Sequence, residues 1–490
     1  MNRREVLGAL GAASASSLLW ALGCGGRQDE APRAPIARED QVRAWLHDAV
    51  ARLAAAGFAA PHALALTRRR TAAANDVLGA AVRRARADAV VLAVRDQDGA
   101  LREQVTADVS ADGVAAAVSA LAAAAKPARV DFGRPIIAAD GSPQPHDEEL
   151  LAFADAIRTR DEALNSRIVY RAELVEIDDA RVWSVAPGRD LEQRLVRVRQ
   201  VATRVAWNGT RPIVAEVSRA WLGPAGSDEL GKEAIEDATR GALALMTPAA
   251  FEDGEHAIVL APSVVASIID AAVPALLTTA AMRLPEVARR LELGAGAASA
   301  AITLVDDPTA GGNFDAYGGF HFDDEGEPAS ALMLVDRGHI VGRIADQAGV
   351  AAGRAPVAGR GRRPGHVGRV EPAASHLVLA PGTAAQTALR DDGFVLEGAL
   401  GAVVDPASDR LVVSIARARE LAHGNETGRV FGELELVANL GALLASVAAV
   451  SKETETFGFR DEVDGRPRWR SIAAPWLSAR GTVRARRRPA

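Results

Sequence analysis

One cysteine, Cys24, stands among 490 residues. No disulfide can form within the chain, and beyond Cys24 no thiolate remains as a metal ligand. Aromatic residues make up only 4%, and no basic segment interleaves with them, so the stacking platforms of a nucleic-acid binder are missing. Neither sign of charge dominates: 57 Lys plus Arg face 63 Asp plus Glu, a net of −6, which gives no long-range field toward a polyanion. The nine histidines are His47, His62, His146, His256, His321, His339, His366, His376 and His423. No two share helical ligand spacing, and a zinc site would have to gather them from distant loops. A GxSxG elbow, a Ser-x-x-Lys pair and a P-loop are all absent, which removes serine-hydrolase and NTPase readings.

Long hydrophobic runs are equally scarce. The longest, Ala257 to Met282, has the length of a membrane span. Pro262 nevertheless divides a β-branched strand from a helix beginning near Ser263, and Asp270 sits at that helix's centre, where lipid would penalise it heavily. Arg283, Glu286, Arg289 and Arg290 continue as a polar surface. The run reads as a core helix, with Asp270 satisfied by a backbone or arginine partner.

What is present begins with an export signal. Arg3 and Arg4 precede an apolar stretch from Leu7 to Leu22 that closes on "ALGC", the pattern of a twin-arginine signal with a lipoprotein-type processing site. Cys24 is either the lipidated first residue of the mature chain or an incidental cysteine beside an ordinary cleavage site. Lipidation would anchor the chain to a membrane without spanning it, on the periplasmic side after export.

Half of the chain is hydrophobic and a quarter charged, the balance of a soluble protein with ample core. Length alone suggests about three domains, but the texture divides it in two, giving a signal peptide (1–24), a linker (25–40), an N-terminal domain (41–250) and a C-terminal domain (251–490). The expected class is α/β in the α+β sense: an N-terminal helix-and-sheet domain and a β-rich C-terminal domain with a buried helix. From Gln41 to Ala125, alanine-rich helices should surround one strand (88–96), followed by a turn at Asp98-Gly99. A loop over 134–149, a helix over 148–162 and alternating strands over 168–187 suggest an antiparallel sheet. An amphipathic helix over 227–246 should begin at Ser227 as N-cap, with Glu229 and Glu233 early in it. Beyond 251, short strands follow the core helix, and a helix (439–453) and a strand (472–485) complete the chain. "FHFDDEGEP" (320–328) reads as a solvated turn rather than a Ca²⁺ loop, and "RARRR" (484–488) as a basic tail.

A series of segments in fixed order resembles the TldD/PmbA metallopeptidase family: "TLVDDPTAGGNFDAYGGFHFDDEGEPASALMLVDR" (303–335), "GRGRR" (359–363), "HLVLAPG" (376–382), "VVDPAS" (403–408), "ELELVANLGALLASVAAV" (433–450) and "SIAAPWLSARG" (471–481). The resemblance covers roughly residues 150 to 485 and extends weakly to 40. It implies a catalytic helix bearing a His-Glu pair, a second His and a further Glu, with a late cysteine, all serving metal-assisted hydrolysis. Laid without gaps on residues 258–278, the first His falls on Asp270, the Glu base on Ala271, the second His on Ala275 and the further Glu on Thr278. The cysteine has no counterpart.

By the resemblance, then, this chain is a zinc-less, PmbA/TldE-like member. It is expected to be a non-catalytic, peptide-binding subunit in a hetero-oligomer with a zinc-bearing TldD-type chain, taking an extended peptide at a sheet edge. The alternatives are a stand-alone lipid-anchored binding or scaffold protein, and an enzyme with an unrecognised site. Arg360, Arg362 and Arg363 are either forked donors for the peptide's carbonyls or carboxylate, or part of a solvated loop.

Overall fold

The computed structural model describes residues 39–76, 79–95, 101–123, 152, 154, 167–223, 230–310, 316–463 and 466–486. The expected signal segment with Cys24, linker up to residue 38, turn at Asp98-Gly99, loop 134–149 and most of the expected helix 148–162, together with Ser227 and Glu229, lie outside them.

The N-terminal sheet has six antiparallel strands: β1 (Ala59–Asp76), β2 (Gly79–Arg95), β3 (Leu101–Thr106), β4 (Ile168–Ala186), β5 (Arg189–Trp207) and β6 (Pro212–Leu222), in the order β3-β2-β1-β4-β5-β6. Residues 59–76 are therefore strand, not the alanine-rich helix expected from composition. Both faces of β1 are covered, so its apolar residues fall in two continuous runs, 63–66 and 72–74, instead of an alternation, and tertiary burial outweighs alanine's helix propensity. Ala63 and Ala65 pack with Val90, Leu92 and Trp183 under the helices Glu39–Ala55 and Ala111–Ala123. Leu64 and Leu66, pointing the other way, pack with Val182 against Phe322 and Val367 of the C-terminal domain. A third helix, Lys232–Ala244, starts later than expected, with Gly231 at its N-cap and no side-chain cap.

The C-terminal domain holds β7 (Gly254–Leu260), β8 (Leu304–Asp306), β9 (Leu332–Asp336), β10 (His339–Ile340), β11 (Gly361–Arg362), β12 (Glu371–Pro372), β13 (His376–Leu379), β14 (Gly393–Asp405), β15 (Arg410–Ala422), β16 (Asn425–Asn439), β17 (Ala449–Val463) and β18 (Arg466–Ala485). Apart from the small β11–β12 pair, they form one sheet. β18 is its axle. Its first half pairs with β13 on one side and β17 on the other, and its second half pairs with β16 and β7. Because β7 also pairs with β14, the strands β7, β14, β15, β16 and β18 close into a ring. The fold is mixed α+β, mostly sheet, in two domains.

The helix expected over 439–453 is shorter than read. Asn439 caps it by accepting a hydrogen bond from Ala442 N (3.0 Å), and it ends at Ala445. The chain then turns into β17, a switch suited to the β-branched Val447 and Val450. Arg484, read as part of a basic tail, lies in β18 and pairs with Glu435 at 2.7 Å. The core helix is Pro262–Leu276. Pro262 occupies its first turn, where a missing N–H is harmless. Pro274 removes the bond to the Asp270 carbonyl, and the helix ends two residues later. Val264, Val265, Ile268 and Ile269 bury against Ile258, Leu260, Leu396 and Leu477 of the ring. No helix among the described residues is long and apolar enough to cross a membrane.

Candidate functional site

Burial of Val264, Val265, Ile268, Ile269 and Val273 turns the opposite stripe of the helix outward: Ser263, Ser267, Asp270, Ala271 and Pro274 are partly or fully exposed. Asp270 is gripped by Arg470 of β18. The guanidinium Nε donates to Oδ1 at 2.7 Å and Nη2 donates to Oδ2 at 3.0 Å. Its third arm, Nη1, donates to Asp461 Oδ1 of β17 at 2.7 Å. Asp461 also accepts from Arg468 at 3.0 Å. Burial opposes the charge on Arg470, but Asp270 and Asp461 more than compensate and hold its pKa above the ordinary arginine value. Asp461 is likewise held below its ordinary value by Arg470 and Arg468, against its own burial. Of the two expected kinds of partner for Asp270, backbone or arginine, the structure supplies the arginine, Arg470.

Ala271 and Ala275 present methyl groups, packed beside the core. Thr278 is buried and already used: Oγ1 donates to the Pro274 carbonyl and accepts from Ala281 N, both at 3.1 Å. One carboxylate held in a guanidinium fork, two methyls and an occupied hydroxyl do not fit a zinc ion, which needs three or four lone-pair donors. Among the described residues, no group of three or more His, Cys, Asp or Glu side chains is placed to hold a metal.

The hairpin β17–β18 lies between this helix and the N-terminal sheet. On its far face, Trp469 is flanked by Arg197 of β5 (4.4 Å from guanidinium carbon to ring centre), Arg68 of β1 (5.0 Å) and His366 (ring centres 5.4 Å apart). Arg197 also donates from Nε to the Tyr317 carbonyl at 3.0 Å, and burial with neighbouring Arg362 lowers its pKa to about 10. Beyond β18, β17 pairs with no other described strand; Gly382 and Ala384 bond its start at Ser451 and Lys452, and past those residues its outer edge carries no further backbone pairing among the described residues. That edge is not bare along its whole length: Gly458 lies against Ala220 and Tyr317, and the Thr456 carbonyl accepts from Arg219 at 3.5 Å.

The three loop arginines lie inside the protein. Arg360 is 1% exposed and pairs with the fully buried Asp306, whose other oxygen accepts from Ser375 N and Oγ. Arg362 lies over the Phe320 ring at 4.5 Å and 3.7 Å from Asp324. Arg363 pairs with Glu103 of β3, tying the two domains together. Most of their donors serve internal acceptors, the buried Nε of Arg363 being an exception, and the segment is not a solvated loop.

The expected solvated turn at 320–328 is also a buried lock. Asp323 Oδ1 accepts from Glu325 N (3.0 Å) and Glu327 N (2.8 Å), and Oδ2 accepts from Gly361 N (2.8 Å). Asp324 accepts from Arg363 N at 2.7 Å and meets His366 Nδ1 at 2.8 Å. Burial opposes ionisation of Asp324, yet His366 and Arg362 bring its pKa down to about 2. Asp323 and Glu325 have no such cation in contact, and burial pushes them up to about 7 and about 8 despite their backbone donors. Sequence reasoning missed this lock because acids beside a glycine are the composition of an exposed turn. It missed the Trp469 stack because its four members come from four separate segments.

Residues 253–482 match the profile of the PmbA/TldA metallopeptidase C-terminal domain. Among solved structures, the chain is similar to a proposed modulator of a DNA gyrase from Thermotoga maritima (15% identity, 90% of this chain and 99% of that one, TM-score 0.71). It is similar to a second such protein from Bacteroides thetaiotaomicron (16%, 91% and 99%, TM-score 0.69) and to TldE from Thermococcus kodakarensis (16%, 90% and 100%, TM-score 0.71). At these identities the structural likeness shows the fold. The matched C-terminal domain belongs to the TldD/PmbA family that the ordered motifs resemble. No curated protein matches in sequence.

Proposed function

We propose that this chain is a non-catalytic, peptide-binding subunit of a TldD/PmbA-type metallopeptidase, with proteolysis carried out by a separate zinc-bearing chain. The observation that carries the reading is the Asp270–Arg470 fork. It occupies the helix position where the resemblance puts the first zinc histidine, so the stripe that would face a substrate offers a salt bridge in place of metal ligands. The open edge of β17, beside this stripe, supports peptide capture by strand addition, in which main-chain hydrogen bonds supply affinity. Cys24, if lipidated after export, would hold the assembly at the periplasmic face of a membrane.

The test is the zinc content of the purified mature chain without a histidine tag, together with peptidase assays of the chain alone and mixed with a zinc-bearing TldD-type protein. Zinc well below one per chain, no hydrolysis alone, and chelator-sensitive hydrolysis on mixing are expected. One tightly held zinc, or chelator-sensitive hydrolysis by the chain alone, would overturn the reading.

A further inference from the structure

On the outer wall of the strand ring, an open cleft of about 390 Å³ lies between the helix Lys232–Ala244 and the strands β14, β15 and β18. From this cleft we infer a second binding site, for the carboxylate of a small, partly apolar ligand.

The floor is set by cross-strand register. Glu397 of β14 stands directly opposite Arg417 of β15, and Val395 opposite Arg419, so all point from the same face of the sheet. Glu397 is satisfied twice over. Arg417 Nε donates to Oε2 at 2.7 Å, and Arg419 Nε donates to the same oxygen at 3.2 Å while its Nη2 reaches Oε1. Arg419 spends its remaining arm on Glu426. Arg417 is different: neither of its terminal nitrogens has an acceptor among the described residues. A glycine makes room for it: a methyl at Gly241 of the helix would sit 2.2 Å from Arg417 Nη1. The sequence thus brings a guanidinium to the helix surface, fixes it by one donor, and leaves its other donors uncommitted.

The chemistry of the lining narrows the ligand. Arg240 is paired with Asp237 and Glu236, and Arg419 with Glu397 and Glu426, so the donors still open among the described residues are the terminal nitrogens of Arg417. One guanidinium end among so many acids suits a single carboxylate and disfavours a dianion such as a phosphate ester. A planar guanidinium fork matches a carboxylate. Trp476 and Val430 supply an apolar wall, and the side-chain amide of Gln386 has no partner among the described residues. The volume lies at the small end of ligand sites, about 300–1,000 Å³. A carboxylate carried by a peptide C-terminus and one carried by a free organic acid share this chemistry. The inference does not rest on the subunit role proposed above.

Isothermal titration of the purified chain with N-acetyl-Ala-Phe, its C-terminal amide and phenylacetate tests it, alongside the variants Arg417→Gln and Ala244→Trp. In the first variant Arg419 still holds Glu397. The second fills the cleft from an exposed helix position without touching an ion pair. Expected is binding of the free acids, at least tenfold weaker binding of the amide, and at least a tenfold loss in each variant. Phenylacetate binding as well as the peptide identifies a free organic acid as the ligand; much weaker binding identifies a peptide C-terminus. Equal affinity for acid and amide, no binding of either acid at millimolar concentration, or unchanged binding in both variants overturns the inference.

Discussion

Arg470 holds Asp270 through both carboxylate oxygens, at 2.7 and 3.0 Å, and joins a helix of the core to the strand hairpin that faces the other domain. With the Arg470 side chain 8% exposed and that of Asp270 22%, the pair is mostly shielded from water. Asp270→Ala leaves Arg470 with Asp461 alone and should lower stability by about 1–3 kcal/mol, the range for breaking a hydrogen-bonded charge that keeps a second partner. A double-mutant cycle with Arg470→Met, read by denaturant unfolding, should return a favourable coupling. Strict additivity would show that the fork contributes nothing.

Arg360 and Asp306 form a deeper pair, both almost fully buried. Arg360→Met strands a carboxylate in the core and should cost about 3–5 kcal/mol. The converse change, Asp306→Asn, keeps an acceptor for Ser375 and should be milder. Equal losses for the two in chemical denaturation would contradict this asymmetry.

Glu325 provides a pH signature. Its pKa is raised by burial to about 8 in the folded chain from an ordinary value of 4.5, so the folded state binds the proton more tightly than the unfolded one. Its stabilisation is complete below about pH 4.5 and is lost as pH rises through about 8. Asp323, raised to about 7, acts in the same direction, whereas Asp324, lowered to about 2, acts only in acid. Glu325→Gln imitates the protonated form. Its melting temperature should match the parent near pH 5 and exceed it above pH 8. Parallel curves across that range would refute the assignment.

Gly318 has no room for a side chain. A methyl there would lie 2.0 Å from the Ser375 carbonyl oxygen and 2.8 Å from the Arg470 backbone, neither of which can swing aside. Gly318→Ala should destabilise by at least ~1–3 kcal/mol, the usual penalty of overpacking. The same substitution at the exposed Gly296, where nothing lies within 4 Å, is the control and should be close to neutral.

The sequence made the C-terminal half far more legible than the N-terminal one. The strand endings near Asp306, Leu379 and Asp405 follow from Gly, Asp and Pro breaks, and the core helix follows from its apolar stripe and Pro262. At residues 59–76 the same reasoning failed, because a strand covered on both faces loses the alternation that distinguishes it from an alanine-rich helix. At the site, Asp270 was recognisable as an acid needing a backbone or arginine partner, but that partner lies 200 residues away, and no local pattern encodes that distance. Arg360, Arg362 and Arg363 read as donors for a peptide or as a solvated loop; their burial was hidden because the acids that neutralise them, Asp306, Asp324 and Glu103, are scattered.

The ring that carries the C-terminal core is closed by β18, the last strand in chain order, which meets β7 more than 200 residues earlier. On the ribosome β7, β14, β15 and β16 emerge first as an open sheet with exposed edges, and the seam cannot be sewn until the final strand has left the exit tunnel. Assembly of this half is therefore obligatorily late and slow, as long-range pairings are. That delay sets the earliest moment at which this half can offer a closed core, and with it the Asp270–Arg470 fork, to anything that binds it.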